Sequence, residues 1–234
     1  MKTSYDTHNP SSIRSLFDNI APRYDLGNAL LSFHLHRVWN RSLVHFLAQK
    51  KPEILLDLCC GTGEIARRLM KKLPHSQFCL VDFSEEMLKV AKERIKRDQT
   101  RFIQADAQEL PLEDSAFDSV SLAYGIRNVE KRPLCFAEVH RVLKTGGWIG
   151  IAELTRPQVP LFSQLHKLYL RTIVPFIGKA ITSNKEAYSY LCKSIEAFVS
   201  PQELATELKS AGFDKIIIQP ETFGIATLIF AQKL

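Results

Sequence analysis

The chain has no apolar run of membrane-spanning length, no low-complexity tract and no internal repeat. These absences argue against an integral membrane protein, a disordered segment and a repeat array. Its five cysteines are odd in number and include no Cys-x-x-Cys pair, and Cys59 and Cys60 are adjacent, a poor geometry for a bridge. Reduced thiols in a cytoplasm are the expectation, not a disulfide framework. The N-terminus is polar from Met1 to Ser12, so no secretory signal is expected. His34 and His36 have no Cys, His or Asp cluster beside them in sequence, so no metal site is expected. There is no Asn-Pro-Pro-Tyr motif for exocyclic amines and no appended RNA-binding module, which speaks against a nucleic-acid partner.

What is present is a globular composition, 45% hydrophobic and 24% charged, in 234 residues, enough for one large domain or a domain with an appended lid. The formal net charge of +6 and pI near 9.1 admit an anionic partner. The basic clusters are short (Arg67-Arg68, Lys71-Lys72, Arg94 to Arg97) and fall on predicted helices, where they read as solvated faces. Weak attraction to anionic lipid stays open.

Residues 55–63 read Leu-Leu-Asp-Leu-Cys-Cys-Gly-Thr-Gly, and a helical pattern opens at Glu64. An apolar strand ending at Asp57, a glycine turn at Gly61, Thr62 and Gly63, and a helix start together bring backbone N–H groups close to a ligand. Asp82 ends the next apolar strand, nineteen residues after Gly63, where an acid meets a ribose diol in a nucleotide fold. The dinucleotide pattern is incomplete, because Ala66 stands at the third glycine. The spacing matches the Asp-x-Gly-x-Gly-x-Gly loop of S-adenosylmethionine (SAM) methyltransferases, with Cys59 at the first glycine. Asp106-Ala107 follows the third strand, where the carboxylate and a backbone N–H can serve adenine. The alternative for such an Asp is a turn or a cap.

Strands are expected at 53–57, 77–82, 101–105, 117–123 and 147–153, alternating with helices at 84–97 and 133–144. Ser84 is a candidate cap, Met87, Val90, Ala91 and Ile95 form the core stripe, and Gly146-Gly147 is the expected stop of the second helix. A helix at 201–211 precedes two closing runs, 213–219 and 225–231, which suggest an antiparallel hairpin at the sheet edge. The expected fold is α/β: a doubly wound, mostly parallel seven-stranded sheet of the class I SAM-methyltransferase type with that edge hairpin. Residues 1–234 read as one domain, with a helical N-terminal cover at 1–50 and a helical lid over the substrate at 157–200.

Arg127 and Asn128, in Tyr124-Gly125-Ile126-Arg127-Asn128-Val129, follow the fourth strand beside the expected methyl position. Arg127 stays protonated and suits an oxyanion, not a base; Asn128 can orient a water or the substrate. The alternative for Arg127 is an ion pair with a surface acid. His36 is a candidate proton acceptor, and Trp39 packs. The stretch from Ser183 to Ile195 reads either as a groove for a long apolar substrate or as a buried amphipathic helix.

Nearly the whole chain resembles the bacterial C-methyltransferases of quinone biosynthesis, those acting on demethylmenaquinol and on the ubiquinone precursor. The resemblance is carried by Phe17-Asp18-Asn19-Ile20-Ala21-Pro22-Arg23-Tyr24-Asp25 with Asn28, by Ser32-Phe33 with His36 and Trp39, by Gly125-Ile126-Arg127-Asn128-Val129, and by Tyr188-Ser189-Tyr190-Leu191 with Ser194-Ile195. It implies SAM as methyl donor, with contacts at Thr62, Asp82, Asp106 and Ala107. It implies a prenylated quinol substrate, whose phenolate carbon attacks the methyl group, and an enzyme working beside a membrane. Demethylmenaquinol is the first expectation and the methoxy-polyprenyl-benzoquinol the alternative; a homodimer stays open. An O-methyltransferase of polyprenyl catechols, a nucleic-acid methyltransferase and a SAM-binding regulator are the rivals. The chain departs from the family at Cys59-Cys60, at His34 where glycine is usual, at Ala123, and in its C-terminal strand, which lacks a His-x-Gly ending.

Overall fold

The computed structural model describes residues 10–181 and 185–234; residues 1–9 of the expected cover and 182–184 of the expected lid lie outside them. The central strands are largely apolar, as strands buried on both faces must be, with Asp57, Ser119 and Ser121 as buried polar exceptions. β1 (Ile54–Leu58), β2 (Gln77–Asp82), β3 (Thr100–Gln104), β4 (Phe117–Ala123) and β5 (Leu143–Leu154) run parallel. β7 (Ala226–Lys233) pairs antiparallel with β5, and β6 (Phe213–Glu221) pairs antiparallel with β7. The seven-stranded order is β3-β2-β1-β4-β5-β7-β6. The expected mixed sheet and its edge hairpin are therefore present, with the order reversing between β1 and β4, where open α/β sheets bind ligands.

Helices cover both faces. On one, α3 (His36–Gln49), α4 (Glu64–Lys72) and α5 (Glu85–Arg94) pack through Leu43, Leu47, Leu69 and Leu88. On the other, α6 (Arg132–Val142) and α9 (Pro201–Ser210) pack through Phe136, Val139 and Leu204. The expected cap at Ser84 forms, accepting from the Met87 N–H, and the structure adds a reciprocal capping box of Ser200 and Glu203 on α9.

Two local expectations change. α6 stops at Val142, not at Lys144, because Leu143 is already a fully buried partner of Phe117 in β5 and Lys144 reaches Asp118 at 2.7 Å. In α5 the buried face is completed by Leu88; Val90 is half-buried, and Ile95 packs from just beyond the helix end.

Outside the sheet, the N-terminal segment folds as α1 (Pro10–Ile20) and α2 (Tyr24–Leu31), and the 157–200 segment as α7 (Pro160–Ile181) and α8 (Lys185–Ala197). These four share a separate core in which Leu16 meets Leu170, Val174, Tyr188, Tyr190 and Ile195. The two segments are far apart in sequence but form one cover over the carboxyl ends of the strands.

Candidate active site

Between β1 and α4 the chain reverses through left-handed residues, with φ of +52° at Cys59, +52° at Gly61 and +76° at Gly63. The two glycines serve different purposes. A Cβ on Gly63 would lie 2.9 Å from the Ile95 side chain, so this glycine lets the turn pack on α5. A Cβ on Gly61 would meet nothing nearer than the Tyr24 ring at 3.9 Å, and the space it leaves open belongs to a cavity. Asp57 fixes the far end of the turn: its carboxylate is buried and accepts from the Ala66 N–H at 3.1 Å and the Ser121 hydroxyl at 2.6 Å. Burial pushes its pKa up to about 7, against those two hydrogen bonds. Asp82 accepts from the Gly61 N–H at 2.7 Å and the Ser84 N–H at 2.9 Å, and burial raises its pKa as well. Asp106 holds Gln108 through the backbone N–H at 2.9 Å and the side-chain amide at 3.0 Å.

Gly61, Asp82, Asp106, Ala107, Arg127 and Asn128 line one cavity of about 470 Å³. Asp57, Thr62 and His36 line a neighbouring cavity of about 680 Å³, which shares Tyr24, Cys59, Gly61, Ala123 and Tyr124 with the first. Gly63 lines neither. His36 and Arg127 thus fall in different cavities. His36 bonds through Nδ1 to Ser32 Oγ at 2.7 Å, and burial, then Arg37 and Arg68, lower its pKa.

Arg127 is held from three sides. Its Nη1 pairs with Glu153 of β5 and donates to the Tyr124 carbonyl at 3.0 Å, and its Nε donates to Ser194 Oγ of α8 at 3.3 Å. The Glu153 side chain is 1% exposed and that of Arg127 5%, so this is a buried pair and not the surface pair the sequence suggested. Burial opposes the guanidinium charge, but Glu153 and the nearby Tyr24 and Tyr190 raise its pKa and keep it protonated. Asn128 accepts from the Tyr190 hydroxyl at 2.8 Å. Tyr24 lines both cavities and also a small cleft, lined largely by apolar residues (Leu16, Phe17, Ile20, Leu31, Leu191), that again reaches Arg127.

Glu153 was missed in the sequence, although a lone acid ending the apolar run Ile149-Gly150-Ile151-Ala152 was a usable signal. The acids of the N-terminal segment were missed too. Asp18 accepts from the Ser84 hydroxyl, and Asp25 accepts from Thr62 Oγ1 at 2.8 Å while pairing with Arg94. The cover is thereby latched onto the glycine turn and onto α5. Among the described residues no group of three His, Cys, Asp or Glu side chains could hold a metal ion.

A family model described as the ubiE/COQ5 methyltransferase family matches residues 3–233. The demethylmenaquinone methyltransferase of Protochlamydia amoebophila is 42% identical over 99% of this chain and 98% of its own length. The ubiquinone/menaquinone biosynthesis C-methyltransferase UbiE of Dinoroseobacter shibae is 34% identical over 95% of this chain and 90% of its own. In fold, a SAM-dependent methyltransferase structure from Thermotoga maritima aligns with a TM-score of 0.64 at 19% identity, over 94% of this chain and 99% of that one. With the glycine turn, the two strand-end acids and the Gly125–Val129 motif brought to one cleft, the chain belongs to the ubiE/COQ5 methyltransferase family.

Proposed function

We propose that this protein transfers a methyl group from SAM to a ring carbon of a prenylated quinol, with demethylmenaquinol as substrate. Residues 1–234 act as one methyltransferase domain, with α1–α2 as cover and α7–α8 as lid. One observation carries the reading: a permanently charged guanidinium, Arg127, sits at the meeting point of a nucleotide-sized cavity and an apolar cleft, buried against Glu153.

The residues present fit the donor. The missing Cβ of Gly61 leaves a cradle beside Tyr24. The Asp82 oxygens, which take the Gly61 and Ser84 N–H groups, keep lone pairs for ribose hydroxyls, and Asp106 with the Ala107 backbone lies where adenine would rest. Asp57 and Gly63 shape the turn from behind, while Thr62 and His36 line the second cavity, which we assign to the amino-acid end of the donor. When bound, SAM supplies a methyl group activated by a positive sulfur.

Arg127 and Asn128 then act on the quinol. The two Nη2 hydrogens of Arg127 remain for a ligand once Nη1 and Nε are engaged by Glu153, Tyr124 and Ser194. Directed at a quinol oxygen, they stabilise the phenolate left when its hydroxyl proton passes to a water in the cavity, and that charge places electron density on the neighbouring ring carbon. Asn128, fixed by Tyr190, orients the same oxygen or a water on it. Arg127 is not the base, because Glu153 keeps it protonated. Nor does the geometry favour His36 acting directly, since it opens on the other cavity. The small apolar cleft between α1, α2 and α8, about 50 Å³, marks the side of the site toward which the prenyl tail would run.

The test is turnover with labelled SAM and two reduced substrates, a prenylated demethylnaphthoquinol and a methoxy-polyprenyl-benzoquinol, with the new methyl located by mass and by position. Carbon methylation of the naphthoquinol is the expected result. Methylation on oxygen, or none while SAM binds, would sink the reading. Arg127→Lys should lose about 10²-fold in kcat with SAM affinity retained.

A further inference from the structure

All 25 acidic residues of the chain lie outside two stretches, 26–52 and 154–185, which hold nine Lys and Arg and no Asp or Glu. The fold brings these stretches together. α2 packs on α7, the Tyr169 hydroxyl donates to the Leu31 carbonyl, and the Phe33 and Tyr169 rings meet at 6.0 Å. Trp39 donates to Thr222 at 2.8 Å, and Phe223 stacks on Phe162 at 4.1 Å, which adds the β6–β7 turn Thr222–Gly224 to the same surface.

This surface is apolar where water should reach it. α7 has two apolar faces: His166, Leu170 and Val174 turn inward, whereas Leu161, Leu165 and Leu168 form a second stripe, each more than half exposed. Leu26 and Leu30 continue it on α2. Phe33 and Phe223 are each 65% exposed, and both are held on left-handed backbone, with φ of +47° and +56°. Two aromatic residues kept in strained turns and pointed at solvent mark a surface with a purpose. The basic residues Arg37, Lys167 and Arg171 are exposed around it, and Asp25, the last acid before the first stretch, is turned away onto Thr62 and Arg94. Among the described residues no helix is long and apolar enough to cross a membrane.

We infer that this face, built from α2, the 32–35 turn, the outer stripe of α7 and the Thr222–Gly224 turn, docks the enzyme on an anionic lipid bilayer. Apolar side chains entering the headgroup boundary beside exposed Arg37, Lys167 and Arg171, of which Arg171 also reaches Glu196 at 3.6 Å, are the chemistry of an interfacial contact. The inference rests on the prenylated-quinol reading in one respect: Leu31 of α2 lines the apolar cleft that reaches Arg127 while Leu30 faces out, so one helix separates the bilayer from the site. A lipid substrate would enter without crossing water.

The test uses the full chain and flotation with vesicles of phosphatidylcholine alone or of equimolar phosphatidylcholine and phosphatidylglycerol. The protein should float with the anionic vesicles and be released by salt. Lys167→Gln and Arg171→Gln should each weaken binding about fivefold. Leu161→Ser with Leu165→Ser, and separately Phe223→Ser, should weaken it further. All these variants should keep the wild-type rate on a short-chain, water-soluble demethylnaphthoquinol and lose rate only on a long-chain quinol in vesicles. Wild-type protein that stays off anionic vesicles, or leucine variants that float as well as wild type, would overturn the inference. So would a wild-type dimer made monomeric by Leu161→Ser and Leu165→Ser, which would assign the face to a second copy. Vesicle binding is read without turnover, so a protein that floats but methylates no quinol indicts the substrate reading and leaves the docking face standing.

Discussion

The two sides of the cleft, which we propose hold the methyl donor and the quinol, are built differently. On the donor side, the groups that shape the cavity are mostly backbone N–H donors and strand-end carboxylates joined within the β1–β3 region: Gly61 to Asp82, Ser84 to Asp82, Ala66 to Asp57, Gln108 to Asp106. On the substrate side, they are side chains gathered from four distant places: Tyr24 from α2, Arg127 after β4, Glu153 from β5, and Tyr190 with Ser194 from α8. The donor side also rests on the sheet cores, whereas the lid and cover share a small core of their own. The donor side is therefore a property of the sheet, and the substrate side a property of how the helical cover docks. A family can keep the first and vary the second.

That difference is broken most severely at Glu153. Glu153→Ala leaves the buried Arg127 charge without a partner and should cost about 3–5 kcal/mol in a denaturant titration. Arg127→Met combined with Glu153→Leu removes both charges and should recover most of that loss, yet remain inactive on the quinol. SAM affinity by calorimetry should be close to wild type in the double variant, because nothing that holds Gly61 or Asp82 is touched. A double variant as unstable as Glu153→Ala, or one that loses the donor, would show that the two sides are not separable.

The same difference explains what could be read in the sequence. The glycine turn, Asp82 and Asp106 were legible because each follows its strand directly and bonds within a few residues or to the adjacent strand. The sheet and its closing hairpin were legible because buried parallel strands are continuous apolar runs with Gly and polar punctuation between them. Arg127 was visible only as a motif; its depth was not, because the pairing acid lies 26 residues away on the neighbouring strand. His36 was grouped with Arg127 on residue type, and Tyr24 and the latches from Asp18 and Asp25 carried no periodic signal, since they depend on where α1 and α2 dock. The end of α6 was misplaced because Gly146-Gly147 resembles a helix stop, whereas pairing of Leu143 with Phe117 had already drawn the chain into β5.

Asp57 sharpens the donor side through pH. Its carboxyl ionises at 3.8 in the free reference and at about 7 in the fold, raised by burial. Below the lower value both states are protonated and the group contributes nothing to the pH dependence. Between the two values the unfolded chain has released the proton and the folded chain has kept it, so stability falls as pH rises, and the loss is complete above about 7. The full span is at most ~4 kcal/mol. Urea titrations of wild type and Asp57→Asn across this range should show wild type losing ground steadily to the variant as pH rises, with a constant gap above neutrality. Parallel curves would mean that Asp57 is ionised throughout and that its bonds to Ala66 and Ser121 outweigh burial.

The smallest effect lies where the two sides touch. Gly125 has an ordinary backbone, φ −106° and ψ −34°, so no left-handed turn demands a glycine there. Space demands it: a Cβ would lie 2.4 Å from Cys59 Cβ and 2.9 Å from its sulfur, and Cys59 itself occupies a left-handed position, with φ of +52°. Gly125→Ala should therefore destabilise by ~1–3 kcal/mol, the usual cost of overpacking. Cys59→Gly alone should be close to neutral, because relief of ~1 kcal/mol of left-handed strain is set against lost packing of the thiol. In the Cys59→Gly background both clashing atoms are gone, and the nearest remaining neighbour, Leu122 Cδ2 at 3.5 Å, is in ordinary contact. Gly125→Ala should then be nearly free, with a coupling of at least ~1 kcal/mol in the double-mutant cycle. Equal costs in the two backgrounds would mean that the donor turn and the Arg127 motif are set independently, and that Cys59 is a passive substitution in the loop.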